Sequence, residues 1–456
     1  MMELDYSLHH YQKPLMIDSK NKSILFSSQS FYPAVGGVST LLLSLSKYLI
    51  KLNYNIYSVH LQVSNDNDSI NKLGLPIKEY IIPKSGVPES VFAGYAKFKE
   101  VIYQHLHGVI PFKYSSIEEV PGYLEYMKLS EIYSYYLIRV LTENDIDIVH
   151  FHDYQVMPGL SVIPFGIKSV FSMHAPFLDS VNPIVGSWIR RYCNRSNKTI
   201  FSIPNYANVA LKHGIKAAKV RVIPPIINKE MMDRSREKIK ALNNISNGSI
   251  VISCIQRFDS KSGQIQLIKA FSKVFKKHKN IYLVLVGGSS FTDNISNIRK
   301  NYLLDAKNLV NRLNISNNVI FTGSVDYTNL SYIYDKSDIV AMLSIMECFG
   351  LAISEAIYRG KPVIVTNVGG LDYQIINGKS GYKVEVGNID NTAEALSKLI
   401  ESKKMRESFG IEGKKRFSNL FDPLKIVPKY HFLYQSLFSN LNINDLDYEH
   451  IYNLLR

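Results

Sequence analysis

"DIVAMLSIMECFGLAISEAIYRGKPVIVTNVGG" (338–370) runs through an apolar strand, a loop, a helix, "GKP", a second apolar strand and "VGG". Glycine and proline at 360–362 end the helix, which is read from about Gly350 to Arg359. Glu347 then falls in the loop before the helix and Glu355 more than a turn inside it. These carboxylates, eight positions apart, therefore do not share one helix face. Between them the amides of Phe349, Gly350 and Leu351 are helix-start donors with no intrahelical acceptor, which suits a phosphate. A carboxylate on either side can accept from two vicinal hydroxyls, as proteins do when they hold a sugar or a ribose. A solvated helix face is the alternative, and the apolar setting of Glu355 between Ser354, Ala356 and Ile357 weighs against it.

The same alternation extends outward. Upstream lie the strand "IVISCIQRF" (250–258), the helix "GQIQLIKAFSKVFKKH", the strand "IYLVLVGG" (281–288), a helix near 298–313 and the strand "NVIFTG" (318–323). Earlier still, "KSILFSS" (22–28) precedes the turn "FYPAVGGVS" and the helix "TLLLSLSKYLIKLN". Strands at 147–153, 168–174 and 198–204 follow. Apolar strands separated by amphipathic stretches are βαβ units with both sheet faces covered. The polar, asparagine-rich stretch 224–249 reads as a linker. Two doubly wound parallel-sheet domains with a cleft between them, 1–230 and 231–422, are expected, with the tail 423–456 following. Such sheets bind ligands beyond the carboxyl ends of their strands.

The chain has 456 residues, 46% hydrophobic and 20% charged, which suits two globular domains. Its 53 Lys and Arg against 39 Asp and Glu give +14, a field that favours anionic partners or simply a solvated basic surface. Three cysteines without CxxC spacing argue against a disulfide framework or structural zinc. The N-terminus carries charge throughout with no apolar h-region, and no run of 18 apolar residues occurs. A cytoplasmic location is expected. Residues 85–114, with Lys97, Lys99 and Lys113 among aromatics, read as an ordinary amphipathic segment or as an acceptor-facing lobe with peripheral contact at the inner membrane face.

Several cleft candidates follow from strand ends. Gly36 and Gly37 sit between a strand and a helix, where bare amides could approach an anion, although a tight turn needs glycine anyway. They form neither a G-x-G-x-x-G fingerprint nor a P-loop. His150, His152 and His174 end two strands; His150 reads as structural, and no zinc ligand set is completed. Arg257 and Lys261 flank a helix start and could neutralise a departing diphosphate.

In chain order these pieces resemble the family-four retaining glycosyltransferases of the GT-B fold. The resemblance covers nearly the whole chain and is strongest over 250–385, in "QRFDSKSGQIQLIKAF", "YLVLVGG" and the stretch from "VIFTGSVDYTNL" to "GKSGYKV". It implies that Glu347 lies against the donor sugar and Glu355 takes the ribose hydroxyls. It further implies that Phe349, Gly350 and Leu351, with Arg257 and Lys261, hold the diphosphate. The Gly36–Gly37 loop would close from the first domain, His174 would lie near the transferred sugar, and "TGSVD" with Val325 would wall the base. The tail after about 423 would cross back onto the first domain. The expected donor is a nucleoside-diphosphate sugar, with no cofactor and no metal, and the acceptor a carbohydrate or lipid-linked glycan. No nucleic-acid partner is expected, and the oligomeric state is left open. The usual R-x4-K-G becomes "RFDSKSG", with Ser262 in the lysine's place. "VGG-x-x-E" becomes "VGGLDYQ", with Tyr373 and Gln374. That form, with "IPPIIN", looks somewhat like the trehalose-forming glycosyltransferring synthases. A nucleotide-sugar epimerase, a phosphorylase and a non-catalytic binding protein of this fold are the alternatives.

Overall fold

A computed structural model describes residues 22–31, 36–62, 74–233, 238–259, 261–288 and 297–439. Its strands form two wholly parallel sheets. In the first, β1 (Ser23–Ser28), β2 (Asn55–Leu61), β3 (Ile77–Ile82), β4 (Ile148–His152), β5 (Lys168–Met173), β6 (Lys198–Phe201) and β7 (Val220–Val222) take the order 3-2-1-4-5-6-7. In the second, β8 (Ile250–Ile255), β9 (Ile281–Val286), β10 (Val319–Gly323), β11 (Ile339–Met342), β12 (Val363–Thr366) and β13 (Gly381–Val384) take the order 10-9-8-11-12-13. Every residue of the central strands β1 and β4 is buried, as helices on both faces require of a parallel sheet. In each sheet the order reverses beside the first strand, at β1/β4 and at β8/β11, the topological switch point where such sheets hold ligands.

The two switch points meet across a seam that is itself apolar. Phe201, Ile203 and Tyr206 from the first half share one buried cluster with Cys348, Phe349 and Ile353 from the second. The stretch read as a linker joins that seam. Ile226, Ile227 and Met232 are at most 1% exposed, and Lys229–Asp233 is a short helix, so a cut at 230/231 falls inside an element. Burial of the continuous run Ile223 to Asn228 and of Met231 and Met232, which the polar residues that follow mask, turns a loose-looking connection into part of the core.

The helix Pro423–Gln435, capped by the Asp422 side chain on the amide of Leu424, returns to the first sheet. Its Ile426, Val427, Tyr430, Leu433 and Tyr434 pack with Ile24, Phe26, Leu41, Leu45 and Leu49. Polar ties fix its register: Tyr54 Oη lies 2.9 Å from His431 Nδ1, and Tyr434 Oη 2.8 Å from His150 Nδ1. Residues 85–114 contain the helix Glu89–Leu106, whose Phe92, Tyr95, Phe98 and Ile102 enter the core. Among the described residues no helix is long and apolar enough to cross a membrane.

Candidate active site

The loop from Ser344 to Gly350 leaves the end of β11 and is held on every side. Ile345 donates its amide to the Lys261 carbonyl (2.8 Å), Thr366 Oγ1 donates to the Ser344 carbonyl (2.6 Å), and Gln256 Nε2 donates to Ser344 Oγ (2.7 Å). The Glu347 carbonyl accepts from the Gly370 amide (3.1 Å) and from Tyr206 Oη of the first half (2.9 Å). Gly369 and Gly370 are needed here. A Cβ on either would lie 2.1–2.2 Å from Tyr206 Oη or from the Phe349 Cα. Tyr373 stands where the motif has glutamate, and Gln374 beside it donates from Nε2 to the carbonyls of Phe349 and Gly350 and accepts from Ser354 Oγ (2.7 Å). A neutral amide can do both, whereas a carboxylate could only accept.

This frame aims Glu347 at Lys261. Their Oε2 and Nζ are 2.9 Å apart, with side-chain exposures of 18% and 8%. Asp259 Oδ1 accepts from the Lys261 amide (2.8 Å) and from Ser262 Oγ (3.2 Å), turning the chain so that the lysine faces inward. Gly263 then takes φ +73°, and a Cβ there would fall 2.0 Å from the Leu343 carbonyl oxygen. The lysine one place early in "RFDSKSG" thus reaches the glutamate loop directly. Burial opposes its charge, but Glu347, Tyr103 and Asp259 outweigh that and hold the ammonium above its ordinary value. A buried pair of this kind is poor stabilisation and points to a functional site.

Two residues that local sequence did not reveal complete this side. Tyr103 donates from Oη to Asp259 Oδ2 (3.2 Å), and its ring centroid lies 5.8 Å from Lys261 Nζ. The His107 ring lies 4.0 Å from that of Tyr103, tilted 36° against it. Burial, and then the nearby Lys261, keep it neutral well below the ordinary histidine range. Arg257 is exposed at the end of β8 and acts electrostatically on both Tyr103 and His107. The helix within 85–114, read as an amphipathic segment or an acceptor-facing lobe, carries an aromatic pair onto the cationic wall of the second domain.

Gly350, at φ +86°, is the N-cap of the helix Leu351–Tyr358. Among the described residues no hydrogen bond uses the amides of Phe349, Gly350 or Leu351. Opposite them, the helix Gly37–Lys51 begins at Gly37, whose Cβ position lies 3.7 Å from Leu351 Cδ1. Two helix N-termini, one from each domain, thus face the same space with bare glycine on the first. Turn residues 32–35 lie outside the described residues, as does Ser260.

The histidines divide by role. His150 is fully buried, between Tyr434 Oη and Ser172 Oγ (2.8 Å each), and is structural. His152 Nδ1 lies 2.9 Å from Nε2 of the partly exposed His174. Burial lowers the His174 pKa to about 4, so its imidazole is neutral. Asp153, held at φ +71° at the end of β4, accepts the His174 amide (3.3 Å) and acts electrostatically on Cys348, next to Glu347. Its positive φ marks a strained strand end, which "DIVHFHD" read as continuing strand conceals.

Glu355 differs from an open ribose-facing carboxylate. It is 3% exposed, Oε1 accepts from Tyr327 Oη (2.8 Å) and Oε2 from Tyr334 Oη (2.7 Å). Burial raises its pKa to about 7 against the lowering by both hydroxyls. Tyr327 is itself partly exposed, and Val325 two residues before it is partly buried on the same cluster. Among the described residues no group of three or more His, Cys, Asp or Glu side chains is placed to hold a metal ion.

Comparison with known proteins agrees with this layout. The family model "Glycosyltransferase Family 4" matches residues 35–230, and "Glycosyl transferases group 1" matches 235–416. A trehalose synthase from Pyrococcus horikoshii is 25% identical over 333 residues, 69% of this chain and 76% of the relative. A D-inositol 3-phosphate glycosyltransferase from Corynebacterium jeikeium is 30% identical over 42% of this chain and 46% of its own. In solved structures, a trehalose-6-phosphate synthase superposes with a TM-score of 0.73 at 15% identity, covering 92% of this chain and all of that one. Anabaena HepE in complex with UDP and glucose superposes with a TM-score of 0.67 at 17% identity, covering 91% and 100%. With both domains matched in order and the sheets, switch points and glutamate loop in place, the chain belongs to the family-four glycosyltransferases of the GT-B fold.

Proposed function

We propose that the chain moves a hexosyl group from a nucleoside-diphosphate sugar to a carbohydrate or lipid-linked glycan acceptor, with retention at the anomeric carbon. The observation that carries this reading is the convergence of the Lys261–Glu347 pair, the unused amides of Phe349, Gly350 and Leu351, and the glycine-led helix start at Gly37. Two cations and two helix N-termini suit a diphosphate, whose charge grows as the glycosyl bond breaks. In this arrangement Lys261 and Arg257 do what a divalent metal does elsewhere, so transfer needs no metal. As phosphate takes up part of the Lys261 charge, Glu347 is left to accept from sugar hydroxyls. His174, neutral and at a strand end, faces the same sugar. The departing phosphate oxygen then receives the acceptor proton on the face it leaves, which retains configuration. Glu355 accepts ribose hydroxyls once Tyr327 gives way.

Similarity to trehalose synthases over about two thirds of the chain favours a glucosyl donor and a sugar acceptor within this class. The test is a panel of nucleoside-diphosphate hexoses with sugar and lipid-linked acceptors, assayed with and without EDTA. Transfer that persists in EDTA and falls on Arg257→Ala or Lys261→Met supports the reading. A strict divalent requirement or undiminished turnover in both variants overturns it. Epimerisation or phosphorolysis of the donor in place of transfer would replace it with one of the alternatives.

A further inference from the structure

Two neutral imidazoles joined by one hydrogen bond share a single proton, so the tautomer of one dictates that of the other. His152 Nδ1 and His174 Nε2 stand 2.9 Å apart, and their rings are parallel within 4° at 5.2 Å. If His174 supplied the proton, the N–H of His152 would lie on Nε2, a buried atom with no hydrogen-bond partner among the described residues. If His152 supplies it, that buried Nε2 is only a bare lone pair. Orphaned buried N–H groups are the rarer case in folded proteins. His174 then carries its own proton on Nδ1, which no described group bonds.

We infer that His152 is a positioning residue: its Nδ1–H donates to His174 Nε2 and fixes His174 as an Nδ1–H donor toward the cleft. This rests on the proposed transfer reading, because the donor is useful only if a hydroxyl or a developing negative charge meets it. His152 is itself held from behind. Its ring is 4.0 Å from that of His150, which Ser172 and Tyr434 anchor on either side, and 5.5 Å edge-on from Phe26. The ring that sets the tautomer therefore has little freedom to flip, and the tail helix, through Tyr434, helps to keep it so.

The experiment has two arms on the full chain. Long-range proton–nitrogen NMR with labelled histidine, assigned with a His174→Gln sample, reads the tautomer without turnover. Protonated Nδ1 and bare Nε2 on His174 are expected; the opposite tautomer overturns the inference and leaves the transfer reading intact. In the second arm, His152→Leu lowers kcat about 10- to 100-fold with little change in donor KM. His152→Asn, whose amide N–H replaces Nδ1–H, recovers most of the loss. Equal activity of the leucine variant and the parent, or no recovery by asparagine in a folded sample, overturns it. If no donor in the panel is turned over, the transfer reading fails while the NMR arm still decides the tautomer.

Discussion

Glu355 is the residue at which burial and charge conflict most plainly. Two tyrosine hydroxyls stabilise its carboxylate, yet burial wins and its pKa rises from 4.5 to about 7. A carboxyl whose folded pKa exceeds its unfolded one contributes stability that is full below pH 4.5 and is lost as pH rises toward 7. The loss is on the order of 3 kcal/mol. Glu355→Gln removes the titration and keeps the shape. The amide oxygen accepts from Tyr327, and its NH2 donates to Tyr334, whose own proton turns to the Ala352 carbonyl 3.0 Å away. Urea midpoints of variant and parent should therefore agree near pH 4 and diverge in the variant's favour by pH 8. Parallel midpoints across that range would contradict the raised pKa. Transfer should move the other way, falling about 10- to 100-fold, because a charge-assisted contact to a hydroxyl is worth about 1.5–3 kcal/mol.

At the scale of elements, the glycines that shape the loops rank themselves. Gly263 has φ +73° and a backbone carbonyl 2.0 Å from where a Cβ would sit. Gly350 has φ +86°, but its nearest neighbour is the Leu371 terminal methyl at 2.6 Å. Gly36 is extended with nothing within 4 Å. Alanine at Gly36 should leave the melting temperature unchanged. At Gly350 it should cost about 1–3 kcal/mol for the left-handed backbone. At Gly263 it should cost more, because a carbonyl in a strand-end loop cannot swing aside as a leucine methyl can. Thermal melts of the three variants check the order. The same scale explains what the sequence discloses. The central strands β1, β4, β8 and β11 read clearly because a parallel strand covered on both faces must be an apolar run. The edges β3, with "IKEYII" half exposed, and β7, with every residue partly exposed, carry no such run and escape notice. The placement of Glu347 before its helix was legible from "GKP" and the glycine. The Tyr103–Asp259 and Tyr327–Glu355 contacts were not, since each joins residues whose meeting is set by packing across the fold.

For the whole molecule, the decisive feature is that the chain crosses the seam twice. The first crossing is the buried stretch around Ile226–Met232, and the second brings the helix Pro423–Gln435 back beneath the first sheet. That helix supplies Ile426, Val427, Tyr430, Leu433 and Tyr434, each at most 2% exposed, to a cluster that also draws on β1 to β6 of the first sheet and on the helix Gly37–Lys51. At about 1.5–3 kcal/mol for each large apolar side chain, their loss removes an amount comparable to the whole stability of a typical domain. It also strips His150 Nδ1 of the Tyr434 hydroxyl, leaving a buried polar atom unpaired at a further cost of about 1–3 kcal/mol. A fragment ending at residue 230 should therefore fail to give a cooperative melt, although it contains every strand of the first sheet. Joining residues 421–439 to that fragment through a flexible linker should restore the transition and the slow hydrogen exchange of β1 and β4. A cooperative melt from the bare fragment would show that the returning helix is an accessory, and that the first sheet builds its core without it.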